Sequence, residues 1–197
     1  MDKRKLAVFD LDGTLFDTGR VNYEAYREAV RKSGMQMEID AEHFSKFCNG
    51  NSCYEFLPRI VSGITKKQIQ CVHEYKKKIY HKYLDTARKN EHLFLIIQAI
   101  KPVYQTAIAT TASRKNAEEL LKHFRVLEWF DFMITQDDVR ETKPSPECFL
   151  LAMRRAGTGC KDTIIFEDSK TGILAAEASG ANYMQIWWQK EEQTGSL

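Results

Sequence analysis

The sequence lacks the features that mark several classes of protein. Its formal net charge is only +2 over 197 residues, which is too close to neutral to imply a nucleic-acid or membrane partner. It has four prolines and ten glycines, 43% hydrophobic residues and 28% charged residues. These values exclude a disordered chain and fit a globular protein with a sizeable core.

Long hydrophobic runs are also absent. No stretch approaches the length of a transmembrane helix. Residues 1–5 are basic, but the apolar run that follows covers only residues 6–9 before Asp10 ends it. A run of that length is too short for the hydrophobic region of a signal peptide.

Cysteine usage argues against a disulfide framework and against structural zinc. The count of five is odd, no CxxC motif occurs, and no cysteine–histidine cluster has zinc-binding spacing. We therefore expect reduced thiols in a cytoplasmic protein.

Short apolar runs alternate with helical patterns over much of the chain. The runs at residues 6–9, 106–109, 132–134, 163–166 and 183–186 are typical of buried strands. Apolar residues at helical spacing recur at residues 117–124, 148–156 and 173–178. This alternation predicts an α/β fold built on a doubly wound parallel sheet.

The region from about residue 23 to 88 interrupts that alternation. It contains helical patterns and no convincing strand. One long helix is predicted by the spacing of its apolar residues, Ile69, Val72, Tyr75, Ile79 and Tyr83. We expect a small helical domain inserted after the first strand.

Two acidic residues follow the first predicted strand. Asp10 and Asp12 are two residues apart and leave the strand on the same side, and Gly13 permits a sharp turn after them. A carboxylate such as Asp10 can attack phosphorus, while Asp12 can protonate a leaving oxygen and then activate water. The alternative is an Asp-Gly turn with solvated acids.

Polar residues follow three later strands as well. Thr110 and Thr111 can hydrogen-bond a phosphate oxygen or merely cap the next helix. Lys143, held among prolines, can neutralise charge or be an ordinary surface lysine. Glu167 and Asp168 can hold Mg²⁺, although Asp168 can also cap a helix. Since strand ends of a parallel sheet line one crevice, these side chains are candidates for a single site.

The order and spacing of these four segments resemble the four motifs of the haloacid dehalogenase superfamily. The segments are Asp10–Thr14, the stretch around Thr110, the stretch around Lys143, and Glu167–Ser169 with Gly172 behind it. The resemblance covers essentially the whole chain. It is strongest to the branch of phosphoglycolate phosphatases and β-phosphoglucomutases, which carry a helical cap after the first motif.

The resemblance implies a domain organisation and a role for each residue. Residues 1–17 and 89–197 would form a Rossmann-like core, and residues 18–88 the cap. Asp10 would be the nucleophile and a magnesium ligand. Asp12 would be the acid/base catalyst, and its backbone carbonyl would bind the metal. Thr110 would bind the phosphoryl group, and Lys143 would neutralise charge. Glu167 and Asp168 would bind the metal.

The cap carries further candidates for substrate binding. Gly50 and Asn51 lie in the stretch that corresponds to a substrate-gripping loop of the mutases, but the arginine expected there is missing. Lys76 is one of several lysines on the long cap helix, and either faces the site or belongs to a solvated surface.

The expected function is Mg²⁺-dependent hydrolysis of a small phosphomonoester through an aspartyl-phosphate. Retention of an acid at Asp12 favours phosphate esters, since the dehalogenases of the superfamily lack it. Two alternatives stay open: a sugar-phosphate mutase and a catalytically silent relative that binds a phosphorylated ligand. We expect a monomer in which Trp187 and Trp188 pack at the edge of the sheet. The alternative is a dimer in which these two residues form the contact.

Overall fold

The computed structural model describes residues 5–35, 39–48 and 52–188. Within these ranges it contains seven strands and eight α-helices. The strands are β1 Lys5–Phe9, β2 Phe16–Asp17, β3 Arg88–Lys89, β4 Tyr104–Ala109, β5 Phe132–Ile134, β6 Thr163–Glu167 and β7 Asn182–Gln185. The helices are α1 Gly19–Lys32, α2 Ala41–Cys48, α3 Cys53–Ile60, α4 Lys66–Ile79, α5 Glu91–Ile100, α6 Arg114–His123, α7 Glu147–Ala156 and α8 Lys170–Ser179.

A five-stranded sheet forms the centre of the fold. Its order is β5-β4-β1-β6-β7, and every neighbouring pair is parallel. Strand β1 lies in the middle, where the direction of winding reverses between β4 and β6. All five carboxyl ends therefore lie on one edge of the sheet. The prediction of a doubly wound parallel α/β sheet is confirmed.

Alternate side chains of β1 point to opposite faces of the sheet, and helices cover both faces. Ala7 and Phe9 belong to an apolar cluster that also contains side chains of α5 and α6. Leu6 and Val8 belong to a second cluster with side chains of α7 and α8. Burial on both sides explains why the strand reads as a continuous apolar run in the sequence.

Helices α1 to α4 form a third apolar cluster of their own. Its centre is aromatic: the rings of Tyr26, Phe44 and Phe56 contact one another at centroid distances of 5.0 to 5.9 Å. The chain leaves the sheet region through β2 and returns through β3, and these two strands pair antiparallel. The helical segment is thus connected to the sheet at one place.

The structure differs from the sequence prediction in two helices. The long helix predicted to reach Tyr83 ends as an α-helix at Ile79 and continues as a 3-10 helix over Tyr80–Thr86. Helix α5 was not predicted. It is apolar on nearly every side, with Leu95 63% exposed, so it lacks the one-sided stripe by which an amphipathic helix is recognised.

No helix in the part of the chain that the structure describes is both long and apolar enough to cross a membrane.

The burial pattern predicts that the same leucine truncation has very different costs at two positions. Leu120 on α6 is fully buried, whereas Leu95 on α5 is mostly exposed. We expect Leu120→Ala to lower the free energy of unfolding by about 2–5 kcal/mol and Leu95→Ala to change it by less than about 0.5 kcal/mol. Urea unfolding followed by circular dichroism measures both, and similar losses in the two variants would contradict the placement of the core.

Candidate active site

The turn after β1 directs two carboxylates to different surroundings. Asp10 follows the strand directly, and its amide donates a hydrogen bond to the carbonyl of Phe166 in β6. Its side chain is buried at the carboxyl edge of the sheet. The chain then turns sharply at Gly13, whose φ of +94° lies in the region that favours glycine. Asp10 thus faces the sheet edge, and Asp12 faces the helical segment.

Three carboxylates come together at this edge. Asp10, Glu167 and Asp168 each offer one oxygen, and these three oxygens lie within 4.8 Å of one another. Burial, opposed by Lys143, raises the pKa of Asp10 well above its ordinary value, and the charges of Glu167 and Asp168 add to the rise. Burial, followed by the charge of Glu167, raises the pKa of Asp168 to about 6. The neighbouring carboxylates therefore raise the pKa of Asp10, and the charge of Glu167 does the same to the pKa of Asp168.

Lys143 supplies a positive charge inside this cluster. Its Nζ donates to Asp10 Oδ1 at 2.5 Å, to Glu167 Oε1 at 2.7 Å and to the carbonyl of Ala109 at 2.9 Å. Burial by itself would lower the pKa of Lys143, but the carboxylates of Asp10 and Glu167 outweigh it and raise this pKa above its ordinary value. The lysine is therefore a fixed cation beside the Asp10 carboxylate.

Glu167 and Asp168 are held by neighbouring backbone and hydroxyl groups. Glu167 Oε2 accepts from the amide and the hydroxyl of Ser169 at 2.7 and 3.1 Å. Asp168 Oδ1 accepts from the Thr14 hydroxyl at 2.8 Å. At Gly172 a side-chain Cβ would lie 1.8 Å from Glu167 Oε1, so only glycine leaves room for this carboxylate. The acidic cluster is thus built into the fold on several sides.

The donor set fits a small, hard cation. Carboxylate oxygens are the ligands that Mg²⁺ prefers, and it needs only one or two of them besides water and substrate oxygens. With all three carboxylates ionised, Asp10, Glu167 and Asp168 carry three negative charges, and Lys143 offsets one of them. The remaining charge of about −2 matches a divalent ion.

Thr110 follows β4 at the same edge of the sheet. It is buried, and its hydroxyl accepts a hydrogen bond from the amide of Ala112 at 3.0 Å, which leaves the hydroxyl proton for another acceptor. Its neighbour Thr111 is exposed. Ser113 caps α6 by accepting from the amide of Asn116, so capping falls to Ser113 and not to either threonine.

Asp12 contacts the helical segment. Its Oδ1 accepts from the Thr18 hydroxyl at 2.5 Å, and its charge acts on the buried Tyr80 hydroxyl. Burial, followed by the charge of Asp12, raises the pKa of Tyr80 well above its ordinary value. Thr18 and Tyr80 were not among the predicted site residues, because a lone hydroxyl in a helical pattern carries no signal of its own.

Lys76 is buried. It is therefore not a solvated surface lysine, which was the alternative interpretation of this residue. Its Nζ lies 4.4 Å from the ring centroid of Tyr80 and 5.2 Å from that of Tyr26. Burial lowers the pKa of Lys76, while the charge of Asp12 acts in the opposite direction. The lysine thus lies on the side of the helical segment that faces Asp12. Gly50 and Asn51, the other substrate-binding candidates, lie outside the described residues.

Comparison with known proteins places this arrangement in a family. The family model for haloacid dehalogenase-like hydrolases matches residues 7–186. A phosphorylated carbohydrates phosphatase of Thermotoga maritima is 30% identical over 88% of this chain and 80% of its own length. The fructose-1-phosphate phosphatase YqaB of Escherichia coli is 27% identical over 91% of this chain and 94% of its own length.

Solved structures show the same fold. A predicted phosphoglycolate phosphatase of Haemophilus somnus superimposes with a TM-score of 0.82 at 20% identity, covering 94% of this chain and 86% of its own. The resemblance inferred from the four motifs is confirmed, as is the expected class of enzyme, since the two curated relatives described above are named as phosphatases. The chain belongs to the haloacid dehalogenase-like hydrolases.

Proposed function

We propose that this protein is a magnesium-dependent phosphatase that hydrolyses a small phosphomonoester through an aspartyl-phosphate on Asp10. The observation that carries the proposal is the buried Asp10 carboxylate, which is bonded to Lys143 and lies within reach of Glu167 and Asp168. A carboxylate nucleophile and a phosphate are both anionic, so they react only where cations neutralise their charge.

The residues of the chain account for both halves of the reaction. An Asp10 oxygen attacks phosphorus, the bond from phosphorus to the leaving oxygen breaks, and Asp12 gives that oxygen a proton. Asp12 then takes a proton from a water molecule, which attacks the phosphoryl group and breaks its bond to Asp10. Lys143 holds the Asp10 carboxylate throughout, and the Thr110 hydroxyl donates to a phosphoryl oxygen. Bound Mg²⁺, held by Asp10, Glu167, Asp168 and the Asp12 carbonyl, would neutralise charge on the transferred group.

We further propose that residues 18–88 form a cap over this site and that residues 1–17 and 89–197 form the core. The separate apolar cluster of α1 to α4 and the paired strands β2 and β3 at their connection support this division. Lys76 would then meet an anionic part of the substrate from the cap side, with Gly50, Asn51 and Thr111 as further contacts. Closure of such a cap would exclude bulk water.

The leaving group is proposed to be a hydroxyl-bearing molecule such as a sugar. The two curated relatives described above, named for carbohydrate substrates, agree with this choice.

Asp10→Asn is expected to abolish turnover while the protein stays folded, because the amide keeps the shape of the side chain but is not a nucleophile. We expect phosphate release from a panel of phosphorylated metabolites to depend on Mg²⁺ and to fall about 10³-fold or more in the variant. Circular dichroism and urea unfolding check the fold.

Retained turnover in Asp10→Asn would reject Asp10 as the nucleophile. If the native protein releases phosphate from no metabolite, the sugar-phosphate mutase becomes the favoured alternative. It is tested with β-glucose phosphates and a bisphosphate. Failure there as well would leave a silent phospho-ligand binder.

Asp12→Asn is expected to slow both proton transfers, since an amide neither donates nor accepts the proton at this position. We expect turnover to fall by about 10²- to 10⁴-fold. With an activated substrate such as p-nitrophenyl phosphate, whose leaving group needs no proton, the aspartyl-phosphate should accumulate. Mass spectrometry of acid-quenched protein detects it, and Asp10→Asn/Asp12→Asn is the control that should carry no adduct.

Gly172→Ala tests the packing around Glu167. The new methyl group would displace a carboxylate that is bonded to Lys143 and Ser169, so we expect kcat/KM to fall about 10²-fold and the free energy of unfolding to fall as well. Gly159→Ala is the matched control, because a Cβ there meets nothing within 4 Å and its φ of −101° suits alanine. Equal activity of the two variants would show that the position of Glu167 is unimportant.

A further inference from the structure

Trp188 makes a contact that differs from the edge packing expected for both tryptophans after β7. Its Nε1 donates a hydrogen bond to the carbonyl of Gly13 at 2.6 Å. Its neighbour Trp187 is 77% exposed. The two adjacent residues therefore have different surroundings, and only Trp188 reaches the turn that carries Asp12.

The backbone of Gly13 lies directly against the acidic cluster. A Cβ on Gly13 would be 2.3 Å from Asp168 Oδ2, so the backbone at this position is close to the carboxylate. The carbonyl of Gly13 and the amide of Thr14 belong to one planar peptide unit. Because the Thr14 hydroxyl donates to Asp168 Oδ1, rotation of that peptide unit would shift a hydrogen bond to the same carboxylate.

The other side of the Trp188 ring contacts a residue at the base of the helical segment. The guanidinium carbon of Arg88 lies 5.8 Å from the ring centroid, within the range of a cation–π contact. Arg88 Nη2 also forms an ion pair with Asp17 Oδ2 at 2.6 Å. Asp17 and Arg88 are the paired residues of β2 and β3, where the chain leaves the sheet region and returns.

Trp188 therefore joins two parts of the structure that are far apart in sequence. Its N–H holds the turn against Asp168, and its ring packs against the connection between the sheet and the helices. A hydrogen bond to a turn carbonyl restricts the orientation of that peptide unit, and residues that hold functional groups in place determine how well a metal or a substrate is bound.

We propose that Trp188 is a positioning residue, which orients the Gly13–Thr14 peptide and thereby sets Asp168 for cation binding and Asp12 for proton transfer. This inference rests on the proposed magnesium-dependent phosphatase function. It also implies that the environment of the Trp188 indole changes when a divalent cation binds beside Asp168.

The test compares Trp188→Phe with Trp187→Phe. Phenylalanine keeps an aromatic ring for Arg88 but has no N–H, and the Trp187 variant makes the same chemical change at an exposed position. Mg²⁺ is titrated into each full-length protein by calorimetry and by tryptophan fluorescence. The kcat and KM for phosphate release are measured in parallel, at a temperature well below each unfolding midpoint.

We expect Mg²⁺ to change the fluorescence of the native protein and of Trp187→Phe, and this change to be lost in Trp188→Phe. Mg²⁺ affinity and kcat should each fall about five- to tenfold in Trp188→Phe, as for the loss of one hydrogen bond, with KM for substrate unchanged. Trp188→His, which keeps a ring N–H, should recover part of both losses.

Equal Mg²⁺ affinity and kcat in Trp188→Phe and Trp187→Phe would overturn the proposal, as would equal losses in the Phe and His variants of Trp188. The proposed function fails separately. If the native protein binds Mg²⁺ with the predicted dependence on Trp188 but releases phosphate from no substrate, the positioning role stands for the cation site and the phosphatase reaction is rejected.

Discussion

Lys143 lies between two carboxylates at the edge of the sheet, and the candidate site depends on this buried arrangement of charge. Its ammonium group bonds to Asp10 and Glu167, and all three side chains are almost completely buried. Burying unpaired charges costs several kcal/mol each, so none of them is stable there alone. With Asp168 ionised as well, the cluster carries excess negative charge, which suits a divalent cation. The cost of burial and the capacity to bind a cation therefore have the same origin.

The parallel sheet makes this cluster possible. Asp10, Thr110 and Glu167 come at or just beyond the ends of β1, β4 and β6, which are adjacent in the sheet order. The register pairs Phe9 with Ile108 and with Phe166, so Asp10 lies level with Glu167, and Thr110 lies one residue beyond the level of Asp10. The rings of Phe9 and Phe166 stack at 4.5 Å directly beneath the site. Packing of the core thus sets the distances between the polar groups above it.

The side of the site away from the sheet is formed by residues with weak sequence signals. Thr18 donates to Asp12, the charge of Asp12 raises the pKa of Tyr80, and Lys76 lies over the ring of Tyr80. These residues belong to the segment that enters through β2 and leaves through β3. Trp188 contacts the same entry point through Arg88 and the turn after β1 through Gly13. The turn with Asp12 is consequently the place where the sheet, the helices and the chain after β7 meet.

The parallel α/β fold, the family and five polar residues at the sheet edge could all be predicted from the sequence; the five residues are Asp10, Thr110, Lys143, Glu167 and Asp168. Buried strands are continuous apolar runs, and each functional residue follows such a run or sits in a proline-bounded turn, so local pattern carries this information. Three features emerged only from the folded structure: which lysine of the helical segment is buried, that α5 is a helix with an exposed leucine, and that Trp188 but not Trp187 contacts the turn. These outcomes depend on contacts between segments as far apart as residues 13 and 188, and such contacts leave no periodic or local signal in the chain.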